Sequence, residues 1–413
     1  MTPWTDQADH RSWLTRERLR LLEFGRDVVA PAGGAAWLDE HGVPDLDRGV
    51  QTWITARTVH TFGLGAMLGV PGSARIARGA LAGLTGLLRD GEHGGWFAHV
   101  DVDGTPVDDS KQCYQHAFVV LAASTATAAG LPGGQALLDE AAAVFLERFW
   151  DEDAGMCVDA WDRTFTELDG YRGVNGNMHA VEAMLAAGDV TGDRAWYARA
   201  RRIARRVAEN AAAHEWRIPE HYDAAWTPEL DLNRERPDDP FKPFGATVGH
   251  GFEWSRLFLH IDASLGTDEL LPAARNLFDR AQHDGWSVDG AEGFVYTTDW
   301  EGAPVVRDRM HWVAAEAAAA AATLHTRTGE EHYVQAYATW WDNIADTLVD
   351  RENGSWHHQL DPANSPVATV WPGKPDLYHA VQSTLLPVAP LSPGLAVAAR
   401  DGLIGARTAE AGR

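Results

Sequence analysis

The chain repeats itself. A loop that runs from a small residue or glycine through Trp or another large apolar residue to an acid and a Gly- or Pro-containing turn recurs about every 60 residues. Its copies lie at 34–44, 95–106, 155–167, 217–228, 293–304 and 354–366. One interval is longer, around 229–243, where Asn233-Arg-Glu-Arg-Pro-Asp-Asp-Pro240 is inserted. Between the loops, Ala- and Leu-rich segments come in pairs: 48–68 with 73–89, 110–129 with 135–149, 173–187 with 194–213, 246–265 with 268–283, and 310–326 with 331–349. The segment 11–30 precedes the first loop, and 376–388 ends the series before a short 394–399. Joints such as Gly69-Val-Pro-Gly72 and Gly130-Leu-Pro-Gly133 are helix stop and start signals.

About twelve main helices in six hairpins of equal length can close into an all-α (α/α)6 barrel, with short β-hairpin-like loops at its mouth. An open solenoid is the rival. A single domain over 1–400 is expected, with 401–413 as a flexible tail.

The two helix classes favour closure. Segments that follow the recurring loop set polar residues among apolar ones: Trp53, Arg57 and His60; Tyr114 and His116; Asn175, Asn177 and His179; His250 and Glu253; His311, Trp312 and Glu316; Asp376, Tyr378 and His379. Segments of the other class, such as 194–206, carry the solvated stripe of an outer layer. The first class should form an inner ring whose N-terminal ends share one mouth, where helix dipoles favour developing negative charge. A His early in every inner helix, at corresponding positions, points to a ring of imidazoles around a cup. The 18 Trp and 18 His suit an aromatic, imidazole-lined cavity of the kind that handles sugars, although a large helical core also absorbs tryptophan.

His250 and Glu253 are one helical turn apart, close enough for the carboxylate to orient the imidazole and make it a proton shuttle. A metal set of His250, Glu253 and His379 is conceivable but lacks His-x3-His spacing, and Cys113 and Cys157 are too few for a thiolate site or disulfide framework. No metal or cofactor is expected. No phosphate loop, no Gly-x-Ser-x-Gly elbow and no helical His-Glu-x-x-His occurs. A glycosidase would need two carboxylates about 5 to 9 Å apart, and acids are not concentrated in the inner helices as histidines are. Imidazole suits a different task, the transfer of a proton at a carbon next to a carbonyl.

A net charge of −24 argues against nucleic acid and anionic membrane as partners. No apolar run reaches the length of a membrane span, and the polar N-terminus lacks a signal peptide's apolar core, so a reduced cytoplasmic setting is expected. The expected partner is a free monosaccharide; a homo-oligomer is compatible with the sequence.

The motifs His250-Gly-Phe-Glu253-Trp, with Pro243-Phe-Gly-Ala-Thr-Val-Gly249 before it, Trp53-Ile-Thr-Ala-Arg57, Asn175-Gly-Asn-Met-His179, His311-Trp312 and Lys374-Pro-Asp-Leu-Tyr-His379 together resemble the N-acylglucosamine 2-epimerase superfamily. The resemblance covers nearly the whole chain and is closest to the aldose-ketose isomerase branch. It implies an (α/α)6 barrel and metal-free interconversion of an aldose such as mannose (or lyxose) with its ketose, fructose (or xylulose), through a cis-enediol. By that analogy His250 moves the proton between C1 and C2 with support from Glu253, and His379 is the second acid/base. Arg57, Asn175 and His179 then bind hydroxyls, Trp53, Tyr114 and Trp312 form the apolar wall, and Glu316 and Asp376 join the substrate contacts. A sulfonated hexose would need a cationic clamp from Arg57, Arg236, Lys242 or Lys374. Sulfoquinovose isomerisation and C2 epimerisation stay open as alternatives.

Overall fold

A computed structural model describes residues 3–405. In chain order the helices are α1 (Ala8–Phe24), α2 (Thr52–Met67), α3 (Ser73–Thr85), α4 (Cys113–Ala128), α5 (Gly134–Arg148), α6 (Val174–Thr191), α7 (Ala195–Ala213), α8 (Val248–Leu265), α9 (Leu271–Gly285), α10 (His311–Thr328), α11 (Glu331–Asn343), α12 (Tyr378–Leu385) and α13 (Leu395–Arg400). Helices α2, α4, α6, α8, α10 and α12 pack each on the next, and α12 returns to α2. Helices α3, α5, α7, α9 and α11 each cover the inner helix that precedes them, while α1 covers α12. The hairpins therefore close into the all-α (α/α)6 barrel rather than an open solenoid. Closure is repeated in the loops, where Lys374 N–H donates to Leu38 O at 2.9 Å and Trp37 Nε1–H to Pro372 O at 2.8 Å.

The layers follow from side-chain pattern. Helix α7 buries Trp196, Tyr197, Ala200, Ile203, Ala204, Val207 and Ala211, a single stripe that faces inward. By contrast, α10 is buried almost all round, and its alanine run from Ala314 to Ala322 lets neighbours approach on both sides. Between the layers, aromatic rings fill the gaps: Trp340 meets Phe252, Phe278 and Phe294 at 5.1–5.5 Å between centroids.

Inner helices start in a common way. Thr52, Cys113, Val174, Val248 and His311 each donate the first N–H to a carbonyl in the following loop, those of Ala98, Asp159, Glu220, Tyr296 and His358, at 2.7–3.1 Å. Short antiparallel pairs just upstream, such as Arg172–Gly173 with His221–Tyr222 and Arg309–Met310 with Gln359–Leu360, hold each loop in place. This repeated bond hangs one loop residue per unit over the mouth. It also satisfies the first of the four N–H groups that lack a partner within each of these helices.

Several predicted helices shift at their ends. Residues 48–51 and 111–112 are strand, α1 stops at Phe24 rather than at 30, and α11 passes into a π-helical turn over Ile344–Leu348. These short strands run directly into the helices that follow, Thr52–Met67 and Cys113–Ala128, with no Gly or Pro at the joint to mark the boundary. At the C-terminus, Leu403 N–H bonds Ala398 O and Gly405 N–H bonds Val388 O, both at 2.8 Å. The rest of the expected tail, 406–413, lies outside the described residues. No described helix is long and apolar enough to cross a membrane.

Candidate active site

The N-terminal ends of the inner helices and the loops above them enclose a cavity of about 650 Å³, a size suited to a small ligand. Two imidazoles face it in the same manner. His250 Nδ1 donates to Glu220 Oε1 at 2.8 Å, and His379 Nδ1 donates to Glu316 Oε1 at 2.8 Å. Each carboxylate accepts a proton already placed on Nδ1, which leaves the Nε2 lone pair of each ring free for chemistry. Trp312 borders both, with its ring 5.2 Å from His250 and 5.7 Å from His379. Gly249 makes room for it, since a Cβ there would come within 2.2 Å of the indole.

One wall holds a fixed cation. Arg57 donates to Asp376 Oδ2 at 3.1 Å and to Tyr114 Oη at 3.0 Å, and its guanidinium lies over the rings of Trp53, Phe118 and Tyr378. Burial opposes this charge, but Tyr114, Asp376 and Tyr378 around it raise the Arg57 pKa above its ordinary value. Asp376 also accepts from Tyr378 N–H, the first N–H of α12, at 2.9 Å.

The floor is a buried charge cluster. Arg256 Nε–H donates to Glu316 Oε2 at 2.6 Å, and its Nη2 reaches Glu253 Oε1 at 3.4 Å. Burial raises the Glu316 carboxyl, but Arg256 and His379 outweigh it and keep the group ionised. Glu253 goes the other way: burial, then the nearby Glu316 and Glu182 carboxylates, push its pKa well up. A neutral Glu253, whose Oε2 has no protein partner, offers an O–H donor at the base of the cup. Burial lowers His179 to about 3, and its Nδ1 stands 3.7 Å from Glu182 and 4.0 Å from Glu253. His311 and His358 stack at 3.9 Å on the remaining wall; burial lowers His311 to about 4 and takes His358 well below its ordinary value, so both rings are neutral.

The family model for N-acylglucosamine 2-epimerase (GlcNAc 2-epimerase) matches residues 33–383. The chain belongs to this family. It is 51% identical over 400 residues to the D-mannose isomerase of Thermobifida fusca, across 96% of this chain and 98% of that one. It is 45% identical to the D-mannose isomerase of Pseudomonas cannabina pv. alisalensis, across 96% of each. Among solved structures, a crystal structure of D-mannose isomerase superposes with a TM-score of 0.85 at 26% identity, covering 90% of this chain and 96% of that one.

Of the residues singled out from sequence, Trp53, Arg57, Tyr114, Asn175, His179, His250, Glu253, Trp312, Asp376 and His379 all line the cavity of this family member. Three expectations change. Glu253 does not orient His250; it points down the bore to Arg256, and Glu220 takes that role from a loop. Glu316 does not line the cup but stands behind His379 as its carboxylate partner. Nor do the early histidines occupy corresponding positions. His60 bonds Thr125 Oγ1 at 2.7 Å deeper in the bore, and His116 faces outward, accepting from Trp96 N–H at 3.1 Å.

Sequence reasoning missed Glu220, Tyr296 and His358, and also Phe241 and Trp371 on the rim. A usable signal existed for the first three, because each is the loop residue whose carbonyl receives the first N–H of an inner helix. Aligning the loops by that register brings them to one position of the repeat.

Among the described residues, two groups bring three metal-capable atoms within 4.8 Å of one another, His179 with Glu182 and Glu253, and Glu253 with Glu316 and His379. The trio His250, Glu253 and His379 is neither of them. A dication in the second group would sit against the fixed Arg256 guanidinium, which already reaches Glu316 at 2.6 Å and Glu253 at 3.4 Å.

Proposed function

We propose that this protein is an aldose-ketose isomerase that interconverts D-mannose and D-fructose, and D-lyxose with D-xylulose, by imidazole-mediated proton transfer. The observation that carries the reading is the pair of carboxylate-oriented imidazoles, His250 and His379, with free Nε2 atoms in one cup and both rings against Trp312. The D-mannose isomerases to which the chain is similar support the choice of sugar.

In this reading His379 Nε2 takes the proton of the anomeric O1 hydroxyl and hands it to the ring oxygen as the C1–O5 bond breaks, which opens the pyranose and returns the imidazole to its neutral form. His250 Nε2 then takes the C2 proton of the open aldose, which leaves an enediolate, and returns it to C1 while the O2 proton passes to O1. Arg57 and the neutral Glu253 stabilise the oxygen that becomes negative, and Asn175 and His179 hold remaining hydroxyls. Glu220 steadies the imidazolium that forms on His250.

A sulfonated hexose is a poorer fit. Lys374 is buried against Asp350 at 2.7 Å, Arg236 does not line the cup, and Lys242 lies over the Tyr171 ring in the neighbouring groove. Only Arg57 reaches the cavity, and Asp376 already matches its charge.

C2 epimerisation is the second reading, favoured by the presence of two equivalent imidazole bases rather than one. NMR in deuterated water separates the two. Mannose should yield fructose with deuterium at C1 and little glucose, and His250→Ala or His379→Ala should abolish both conversion and exchange while the circular dichroism spectrum is kept. Unchanged exchange in either variant would remove the mechanism, and glucose formed as fast as fructose would establish the epimerase.

A further inference from the structure

A second cavity of about 630 Å³ occupies the opposite half of the bore, against about 650 Å³ for the cup. It is lined by the C-terminal halves of the inner helices and is closed by α13 and the segment before it. Its polar side chains are mostly spoken for. Arg256 is held by Glu316 and Glu253, Glu182 accepts from Tyr378 and Gln382, and Asp189 accepts from Tyr197 and Gly394 N–H. Two atoms are not. His60 Nε2 and His260 Nε2 have no protein partner, although the residues are only 3% and 8% exposed and both line this cavity.

Their partners fix the tautomers. Thr125 Oγ1 gives its own proton to Leu121 O at 3.0 Å, so it accepts from His60 Nδ1–H at 2.7 Å. Leu391 O can only accept, so His260 Nδ1 is the donor in their 2.7 Å bond. Both free Nε2 atoms are therefore bare acceptors. Leaving buried acceptors unmade is costly, and an occupant that satisfies them must bring hydrogen-bond donors. A metal ion is disfavoured, since among the described residues these histidines belong to no group of three donors within 4.8 Å.

We infer that this lower cavity is a second ligand site, built to take a small neutral polyhydroxy compound through hydroxyl donors to His60 Nε2 and His260 Nε2. An occupant would rest against Arg256 and Glu182, one side chain below His379 and His179, and so touch the layer that supports the catalytic imidazoles.

D-mannitol, a polyol without a carbonyl, is the probe. Crystals of the full chain soaked with it should show the polyol in the lower cavity, with hydroxyl oxygens about 3 Å from both Nε2 atoms. In solution, the rise in melting temperature at saturating mannitol should fall by roughly half or more in His260→Leu and in Ala186→Leu, which narrows the cavity with both imidazoles intact. It should survive Trp53→Ala, which alters only the cup. Water or an adventitious additive only in the lower cavity would overturn the inference, as would stabilisation that disappears with Trp53→Ala but not with Ala186→Leu. Those results would leave the proposed isomerase reading untouched, because it rests on the upper cup.

Discussion

Replacing Glu220 by Gln tests the most specific feature of the cup. The substitution keeps an oxygen that can accept from His250 Nδ1–H at the present 2.8 Å, and both side chains are buried, so the ring should hold its orientation. What is lost is the negative charge beside an imidazole that turns cationic when it takes the C2 proton. At about 4 Å and an effective dielectric near 20, a charge pair is worth about 4 kcal/mol, and the charged bond exceeds a neutral one by about 1 kcal/mol. Relaxation lowers the sum, so about 2–4 kcal/mol of transition-state stabilisation should go, roughly 30- to 1,000-fold in kcat. KM should change little, because the ring keeps its place against the ground-state sugar. Mannose-to-fructose conversion with deuterium incorporation at C1 measures it directly. Glu253→Gln is the control, since Glu253 is held neutral and glutamine reproduces its shape and a donor; its loss should stay below about tenfold. If Glu253→Gln is crippled and Glu220→Gln is not, the assignment of His250's partner is wrong.

Three further outcomes are expected. Burial, aided by the nearby Lys111 charge, lowers His116 to about 3 in the fold against an ordinary value of 6.5, and its Nε2 accepts from Trp96 N–H. The unfolded chain then binds the extra proton, so the stability from this group is full above pH 6.5 and drains as pH falls toward the folded value. His116→Gln should flatten the pH dependence of urea stability between pH 4.5 and 6.5 by about 1.4 kcal/mol per pH unit, and an unaltered slope would refute the cause. Gly249→Ala should force Trp312 away from the two imidazoles it borders, at a cost of about 1–3 kcal/mol in stability and a loss of activity well beyond it; a crystal structure with Trp312 unmoved would contradict this. Treatment with a chelator should leave the isomerisation rate unchanged, and a loss restored by a divalent ion would show that one of the carboxylate clusters binds metal after all.

Much of this protein was legible in its sequence, because a repeat of one helical hairpin leaves few ways to bury its apolar faces. The period gave the number of units, and the contrast between a stripe on α7 and full burial on α10 gave the layers. Trp53, Arg57, Asn175 and His379 stood out because polar side chains among apolar neighbours at a helix start have few places to go except a shared cup. Which side chain meets which was a matter for the tertiary structure. Sequence proximity favours His250 with Glu253, but a residue one turn further into a barrel helix reaches a deeper layer, where Arg256 and Glu316 hold Glu253 in a different charge cluster. The carboxylate that reaches His250 is 30 residues away, carried over the mouth by a loop held by a backbone bond to Val174 and by the strand pair Arg172–Gly173 with His221–Tyr222. Side-chain pairing of that kind depends on how loops fold back over the ring, and only closure of the barrel decides it.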